Sequence, residues 1–218
     1  MRPNKPLLYT AIGDSLSVGT GSFLAPGFEK RYAALAEHQL HHPVQIQIFA
    51  KNGATSADIL HRLRSKKVHK SIYESSIITI TAGGNDLIQA YRAYSKTRMV
   101  YVFEQAIRQF SENLSNIMQY IYSVKSSDTH LFMIRLVGLY NPFPHIQGSD
   151  YYVQSFNRHL QHFSGSNTSI ADIYYPFRRY GKKLLSIDGL HPNGKGYQVI
   201  ANVLNQTGYY PLNYPLAT

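Results

Sequence analysis

Hydrophobic and polar positions alternate along this chain in two rhythms that predict a succession of strands and helices. Leu7–Ile12 is a largely apolar run, interrupted only by Thr10, with the length of a buried strand, ended by Gly13-Asp14. The stretch Val18–Gly27 carries Gly19, Gly21, Pro26 and Gly27 and reads as a loop. From Phe28 to Leu40 apolar side chains recur every three or four residues, which predicts an amphipathic helix. Val44, Ile46 and Ile48 alternate with Gln45 and Gln47, as in a half-exposed strand near a sheet edge. Thr55 or Ser56 is placed to cap a helix that presents Ile59, Leu60 and Leu63 on one face. Ile77–Thr81 is continuous and β-branched, the mark of a central strand covered on both faces.

The second half continues in the same way. Phe103, Ile107, Phe110, Leu114, Ile117 and Ile121 fall at helical spacing within 100–122, and Leu131–Val137 is again strand-like. A proline-bearing loop spans 140–148, a helix 150–163, a short strand 169–173 and an irregular segment 176–184. Asn193 caps a last helix that runs to Leu204. Alternation of this kind, without repeats or a low-complexity linker, predicts one α/β domain over residues 1–218, built on a doubly wound parallel sheet.

Composition narrows the function classes. The chain has 218 residues, of which 44% are hydrophobic and 16% charged, as in an ordinary folded protein. Without cysteine it has neither a disulfide framework nor a thiolate metal site. No run approaches a membrane span, so no transmembrane segment is expected. Arg2 and Lys5 precede the first apolar run, but that run is too short for a signal core and no small-residue cleavage site follows it. The expectation from this is a protein of the cytoplasm. A net charge of +10, from 22 Lys and Arg against 12 Asp and Glu, favours peripheral contact with anionic surfaces. Its densest patch, His61–Lys70, reads as a solvated helix end. Nucleic-acid binding is not expected, since no interleaved aromatics or recognisable module accompany the charge.

Four short motifs carry candidate chemistry. Ser15 lies in Gly13-Asp14-Ser15-Leu16-Ser17 after the first predicted strand; Gly53 lies in Asn52-Gly53-Ala54 after the second; Asn85 lies in Gly83-Gly84-Asn85-Asp86 after the third. In a parallel sheet the carboxyl ends of the strands share one edge, so these three residues converge there. Ser15 is the candidate nucleophile. His191, in Asp188-Gly189-Leu190-His191-Pro192-Asn193, is the candidate general base among ten histidines, because Asp188 three residues earlier can fold back on the imidazole and fix its tautomer. The Asn85 amide, with the backbone N–H groups of Gly53 and Ser15, is a candidate oxyanion hole, in which one donor is typically worth about 3 kcal/mol. Plain turn and capping roles remain open for each motif taken singly, including Asp86 as a cap or loop brace.

Taken together, the four blocks resemble the SGNH (GDSL-like) hydrolase family over residues 7 to about 204. Ser15 matches its first block, Gly53 the second, Asn85 the third, and Asp188 with His191 the last. The resemblance implies a flavodoxin-like, three-layer α/β/α fold with a mostly parallel five-stranded sheet. It also implies ester hydrolysis through an acyl-enzyme on Ser15, with neither metal nor cofactor. More narrowly, the stretch 15–32 and the later Ala82–Leu87 are similar to small spore-associated lipases of Gram-positive spore formers, which act on phospholipid or acylglycerol. A small-molecule or lipid ester is therefore the expected substrate, and the same resemblance sets a spore-associated place beside the cytoplasm as the expected location.

Loops at 16–28, 87–100 and 140–152 flank the predicted strand ends, and Phe23, Leu24, Tyr91, Tyr94, Phe143 and Ile146 within them are expected to wall an apolar acyl channel. Two other readings stand beside the lipase. One is a carbohydrate or peptidoglycan O-acetylesterase using the same residues; the other is a non-catalytic module binding anionic polymer through 61–70.

Overall fold

A computed structural model describes residues 5–127 and 130–213. Arg2, read above as part of an N-terminal basic pair, lies outside the described residues. Five strands, β1 (Leu7–Gly13), β2 (Val44–Ala50), β3 (Ile77–Thr81), β4 (Met133–Val137) and β5 (Thr168–Ala171), form one sheet in the order β2-β1-β3-β4-β5. Every pairing in it is parallel, from Leu7 opposite Val44 to Ile134 opposite Thr168. The half-exposed strand of the sequence is the edge strand β2.

Side chains alternate across the strands and feed two cores. Ile12, Ile78, Ile80, Ile134 and Leu136 point to the layer formed by α3 (Ser56–Leu63), α4 (Lys66–Glu74), α5 (Gly84–Thr97), α6 (Tyr101–Lys125) and α7 (Ser149–Gln161). Tyr9, Ala11, Ile77, Met133 and Val137 point to the layer of α2 (Phe28–Leu40) and α9 (Gly194–Gln206). Each fully buried Ile, Leu or Phe contributes about 1.5–3 kcal/mol, which is how the fold holds without disulfides. Arg135, mid-strand in β4, is buried too; its guanidinium donates to the carbonyls of Ile134 and Gly208 at 2.9 and 2.8 Å, tying the C-terminal segment to the sheet.

Three expectations are corrected. The stretch 87–100, read as a loop, is mostly the helix α5, which starts at Gly84. Only Ala90 is fully buried along it, so its apolar stripe is too thin to register as a helical rhythm. The irregular 176–184 is a helix, α8 (Tyr174–Tyr180), followed by a 3₁₀ turn at Gly181–Leu184; Pro176 sits in the first helical turn, where the missing N–H removes no bond. The basic patch 61–70 is not one helix end. It crosses from α3 into α4, whose start is capped by the Ser65 hydroxyl and which buries Val68 and Ile72 under the solvated lysines.

The sheet reverses winding direction between β1 and β3, since β2 lies on one side of β1 and β4 on the far side of β3. A crevice opens at the carboxyl ends of strands flanking such a switch point. Gly13 closes β1 against β3 so tightly that a Cβ would come within 2.1 Å of Thr81 Oγ1.

Candidate active site

Ser15 begins α1 (Ser15–Val18) directly after β1, so its N–H has no intrahelical acceptor. Asp14, buried at the junction, accepts from the Leu16 N–H at 3.0 Å and from the Thr81 hydroxyl at 2.9 Å. Burial raises the Asp14 pKa above the usual carboxylate value, against the pull of those two bonds. The arrangement locks the serine turn to the end of β3. Sequence reasoning assigned Asp14 no role; the signal available was an aspartate in the residue before a helix, a standard capping position.

The loop between the 3₁₀ turn and α9 delivers the histidine. Leu185 pairs with Pro192, and the Ser186 N–H donates to the His191 carbonyl at 2.7 Å, which makes a narrow hairpin of the segment. Asn193 accepts from the N–H groups of Lys195 and Gly196 and donates to the carbonyls of Lys183 and Leu185, capping α9 and pinning the hairpin's base. Tyr140, stacked on Phe177, donates its hydroxyl to the Leu190 carbonyl at 2.6 Å. That tyrosine brace went unnoticed in the sequence because it joins elements fifty residues apart.

Within the hairpin, Asp188 Oδ1 accepts from the N–H groups of Leu190 and His191, both at 2.9 Å. Its Oδ2 lies 2.6 Å from His191 Nδ1. Partial burial pushes the Asp188 pKa up, but the bonds from His191 and the two N–H groups outweigh it and hold the carboxyl below its ordinary range. An ionised carboxylate at Nδ1 makes that nitrogen the proton-bearing one and leaves Nε2 an acceptor. His191 Nε2 lies 2.9 Å from Ser15 Oγ, across 176 positions of sequence. An imidazole held this way can take a proton from the hydroxyl and return it.

Facing this pair are the turns after β2 and β3. The Ala54 N–H closes a turn on the Lys51 carbonyl at 3.1 Å, with Gly53 at its third residue and φ of +76°. That position favours glycine. A Cβ there would meet nothing within 4 Å, so the space over Gly53 is open. Gly83, at φ +103°, lies against Phe110 and Phe156 too closely for any Cβ. Asn85 follows in the first turn of α5 and donates one amide hydrogen to the Ala54 carbonyl at 2.9 Å, leaving the other for a ligand. Asp86 braces rather than caps its own helix: it takes the Ser56 N–H and hydroxyl, at 2.9 and 2.5 Å, and so fixes the start of α3 to that of α5. Thr55 is the cap of α3, in a reciprocal pair with Asp58.

The structure thus brings Ser15, His191 and Asp188 into one hydrogen-bonded line, with Gly53 and Asn85 on neighbouring turns of the same sheet edge. A model of the GDSL-like lipase/acylhydrolase family matches residues 11–199. The chain belongs to this family. Among GDSL-like relatives, a spore germination lipase of Bacillus licheniformis is 37% identical over 205 residues, which cover 93% of this chain and 97% of the relative. A crystal structure of a lipase from a goat rumen metagenome is 36% identical, covers 94% of this chain and 99% of its own, and superposes with a TM-score of 0.91. The lipase/acylhydrolase of Enterococcus faecalis shares the fold at 18% identity, covering 93% of this chain and 95% of its own, with a TM-score of 0.65. As a GDSL-like hydrolase the protein cleaves carboxylic esters by serine chemistry.

The six residues expected to wall an acyl channel fall into separate settings in this GDSL-like fold. Phe143 and Ile146 are half-buried in one turn, closed by the Ile146 N–H on the Phe143 carbonyl at 3.0 Å. Tyr94 packs on Phe103, which stacks on Tyr152 at 3.9 Å, and Tyr91 lies on the same helix with its ring exposed. Phe23 and Leu24 stand out in solvent, 73% and 103% exposed. Among the described residues no helix is long and apolar enough to cross a membrane.

Proposed function

We propose that Ser15 is the nucleophile, His191 its general base and Asp188 the group that orients the imidazole and stabilises the imidazolium that forms. The observation that carries this reading is the unbroken line Asp188–His191–Ser15, at 2.6 and 2.9 Å. His191 Nε2 takes the hydroxyl proton as Ser15 Oγ attacks the ester carbonyl carbon. The tetrahedral oxyanion is received by the N–H groups of Ser15 and Gly53 and by the second amide hydrogen of Asn85. The imidazolium then protonates the departing alkoxide as its C–O bond breaks. Water, deprotonated by the same imidazole, releases the acid and restores Ser15.

The substrate proposed is a lipid acyl ester. The name of the B. licheniformis relative supports both this class and the expected spore association. On this reading the acyl chain runs from the oxyanion turns along α5 toward Tyr91 and Tyr94. Tyr91 is six residues beyond Asn85, about 9 Å along the helix axis, within reach of a medium-length chain.

The test is a series of p-nitrophenyl esters of rising chain length, assayed with the native chain and with Ser15→Ala. Turnover should rise beyond acetate and vanish in the variant. A preference for acetate, or for acetylated glycans, would reject the lipid ester; activity retained by Ser15→Ala would reject the nucleophile.

A further inference from the structure

The loop that follows the nucleophile carries an arrangement the fold itself does not require. The Ala25 N–H closes a turn on the Ser22 carbonyl at 3.0 Å, and the two residues at the turn's tip are Phe23 and Leu24. Phe23 adopts φ of +51°, at a position where glycine, asparagine or aspartate is the usual occupant. A bulky aromatic is held there in a left-handed conformation, yet it is 73% exposed and its neighbour Leu24 wholly so. The next loop in contact also exposes a large apolar side chain: Ile187, beside Asp188, is 91% exposed. The two loops meet at Gly21, where a Cβ would lie 2.9 Å from His191 Cβ and 3.0 Å from Ser186 Cβ.

Positive charge flanks these tips on one side, while the Asp188 carboxylate beside Ile187 is turned onto His191. Arg31, Lys183 and Lys195 line a shallow basin with Asn193, Gly194 and Gln198, and no carboxylate is among the residues lining it. The basin abuts the loop directly, since a Cβ on Gly194 would lie 3.1 Å from Ala25 Cβ. Arg31 is built into the loop as well, donating Nε–H to the Pro26 carbonyl at 3.0 Å. Lys182 adds a further exposed cation beside Lys183.

We infer that the Phe23-Leu24 tip, with Ile187 and the basin of Arg31, Lys183 and Lys195, is a docking surface for an anionic phospholipid bilayer. Apolar side chains on loop tips enter the acyl boundary, while flanking cations meet phosphate headgroups; each supplies what the other lacks for a stable peripheral contact. A second copy of this chain would bring like charge to the same place, on a molecule of net charge +10. Docking on this surface lays the Ser15–His191 mouth against the headgroup plane. The inference rests on the proposed role of those two residues for its purpose, whereas binding itself needs neither.

The experiment uses the full chain carrying Ser15→Ala, so that lipid is not consumed, and measures co-sedimentation with phosphatidylglycerol-rich and pure phosphatidylcholine vesicles. Binding to the anionic vesicles is expected to exceed binding to the neutral ones. Phe23→Asn/Leu24→Gln, in which asparagine accommodates the left-handed turn, should weaken it about tenfold or more, with the circular dichroism melt unchanged. Lys183→Gln/Lys195→Gln should weaken it similarly and flatten its salt dependence. On the Ser15 background the tip variant should hydrolyse soluble p-nitrophenyl acetate within about twofold of the parent. Equal binding to both vesicle types, unchanged binding by the tip variant, or loss of soluble-ester turnover with vesicle binding intact would each overturn the proposal. Vesicle binding in a chain whose esterase activity proves independent of Ser15 would leave the docking surface standing and remove the catalytic assignment alone.

Discussion

Asn85 and Ala54 are joined by a side-chain-to-backbone hydrogen bond of 2.9 Å that ties the turn after β3 to the turn after β2. One amide hydrogen is thereby committed and the other left for a ligand, which the proposed mechanism assigns to the oxyanion. Asn85→Ala should lower kcat by about 10²–10³ with little change in KM, the signature of an interaction made in the transition state. Steady-state kinetics on a soluble ester checks this; a change confined to KM would contradict it.

Asp86 supports that geometry from behind. Its carboxylate is satisfied by the Ser56 N–H and hydroxyl, while the Ser56 oxygen also accepts from the Asn113 amide at 2.9 Å. Asp86→Ala strands those partners and should cost about 1–3 kcal/mol of stability, read as a lowered urea midpoint. It should also reduce kcat, because α3 and α5 are no longer held in one register. Ser56→Ala should show the same direction at smaller size.

Asp188 is kept ionised by three donors, two of them backbone N–H groups. Asp188→Asn offers Nδ1 an amide in place of a charge and permits the wrong imidazole tautomer. Turnover should fall by about 10⁴ while the hairpin and thermal stability are largely kept. A loss of less than tenfold would deny Asp188 its role.

Glu29, in the first turn of α2, is buried with its Oε1 lacking a hydrogen-bond partner. Burial pushes its pKa from 4.5 up to about 8, outweighing the bond to its own N–H and the charge of Lys30. The folded chain therefore holds a proton here that the unfolded chain has released between those two values. Stability from this group is complete below the unfolded pKa and is lost as pH rises through the window to about 8, at up to about 1.4 kcal/mol per pH unit. Glu29→Gln should flatten that decline in melting experiments run from pH 5 to 8. An unchanged slope would contradict the assignment.

The fold was largely legible because its strands are of two plain kinds. Ile77–Thr81 is β-branched throughout and buried at every position, and Val44–Ala50 alternates in sequence at a sheet edge where none of its residues is fully buried. The helix α5 was not legible, since it covers the core with Ala90 and the margin of Leu87 while most of its surface is polar. At the site, Ser15, Asp188 and His191 stood out as candidates through four motifs in family order, each of which taken singly reads equally as a turn or a cap. Thr81 and Tyr140 did not, because the contacts that give them meaning reach across 50 or more residues, and Asp14 offered only its capping position, not its bond to Thr81. Phe23 and Leu24 mark the remaining boundary: apolarity in a loop cannot say whether a side chain turns inward to a channel or outward to solvent.

The most direct test of the account is reaction of the native chain with an alkyl fluorophosphonate, followed by mass mapping of the adduct. Attack by an activated serine predicts a single covalent adduct on Ser15, loss of esterase activity in proportion to labelling, and failure of Asp188→Asn and His191→Ala to label at a comparable rate. An adduct on another residue, or full activity in a chain labelled at Ser15, would contradict it.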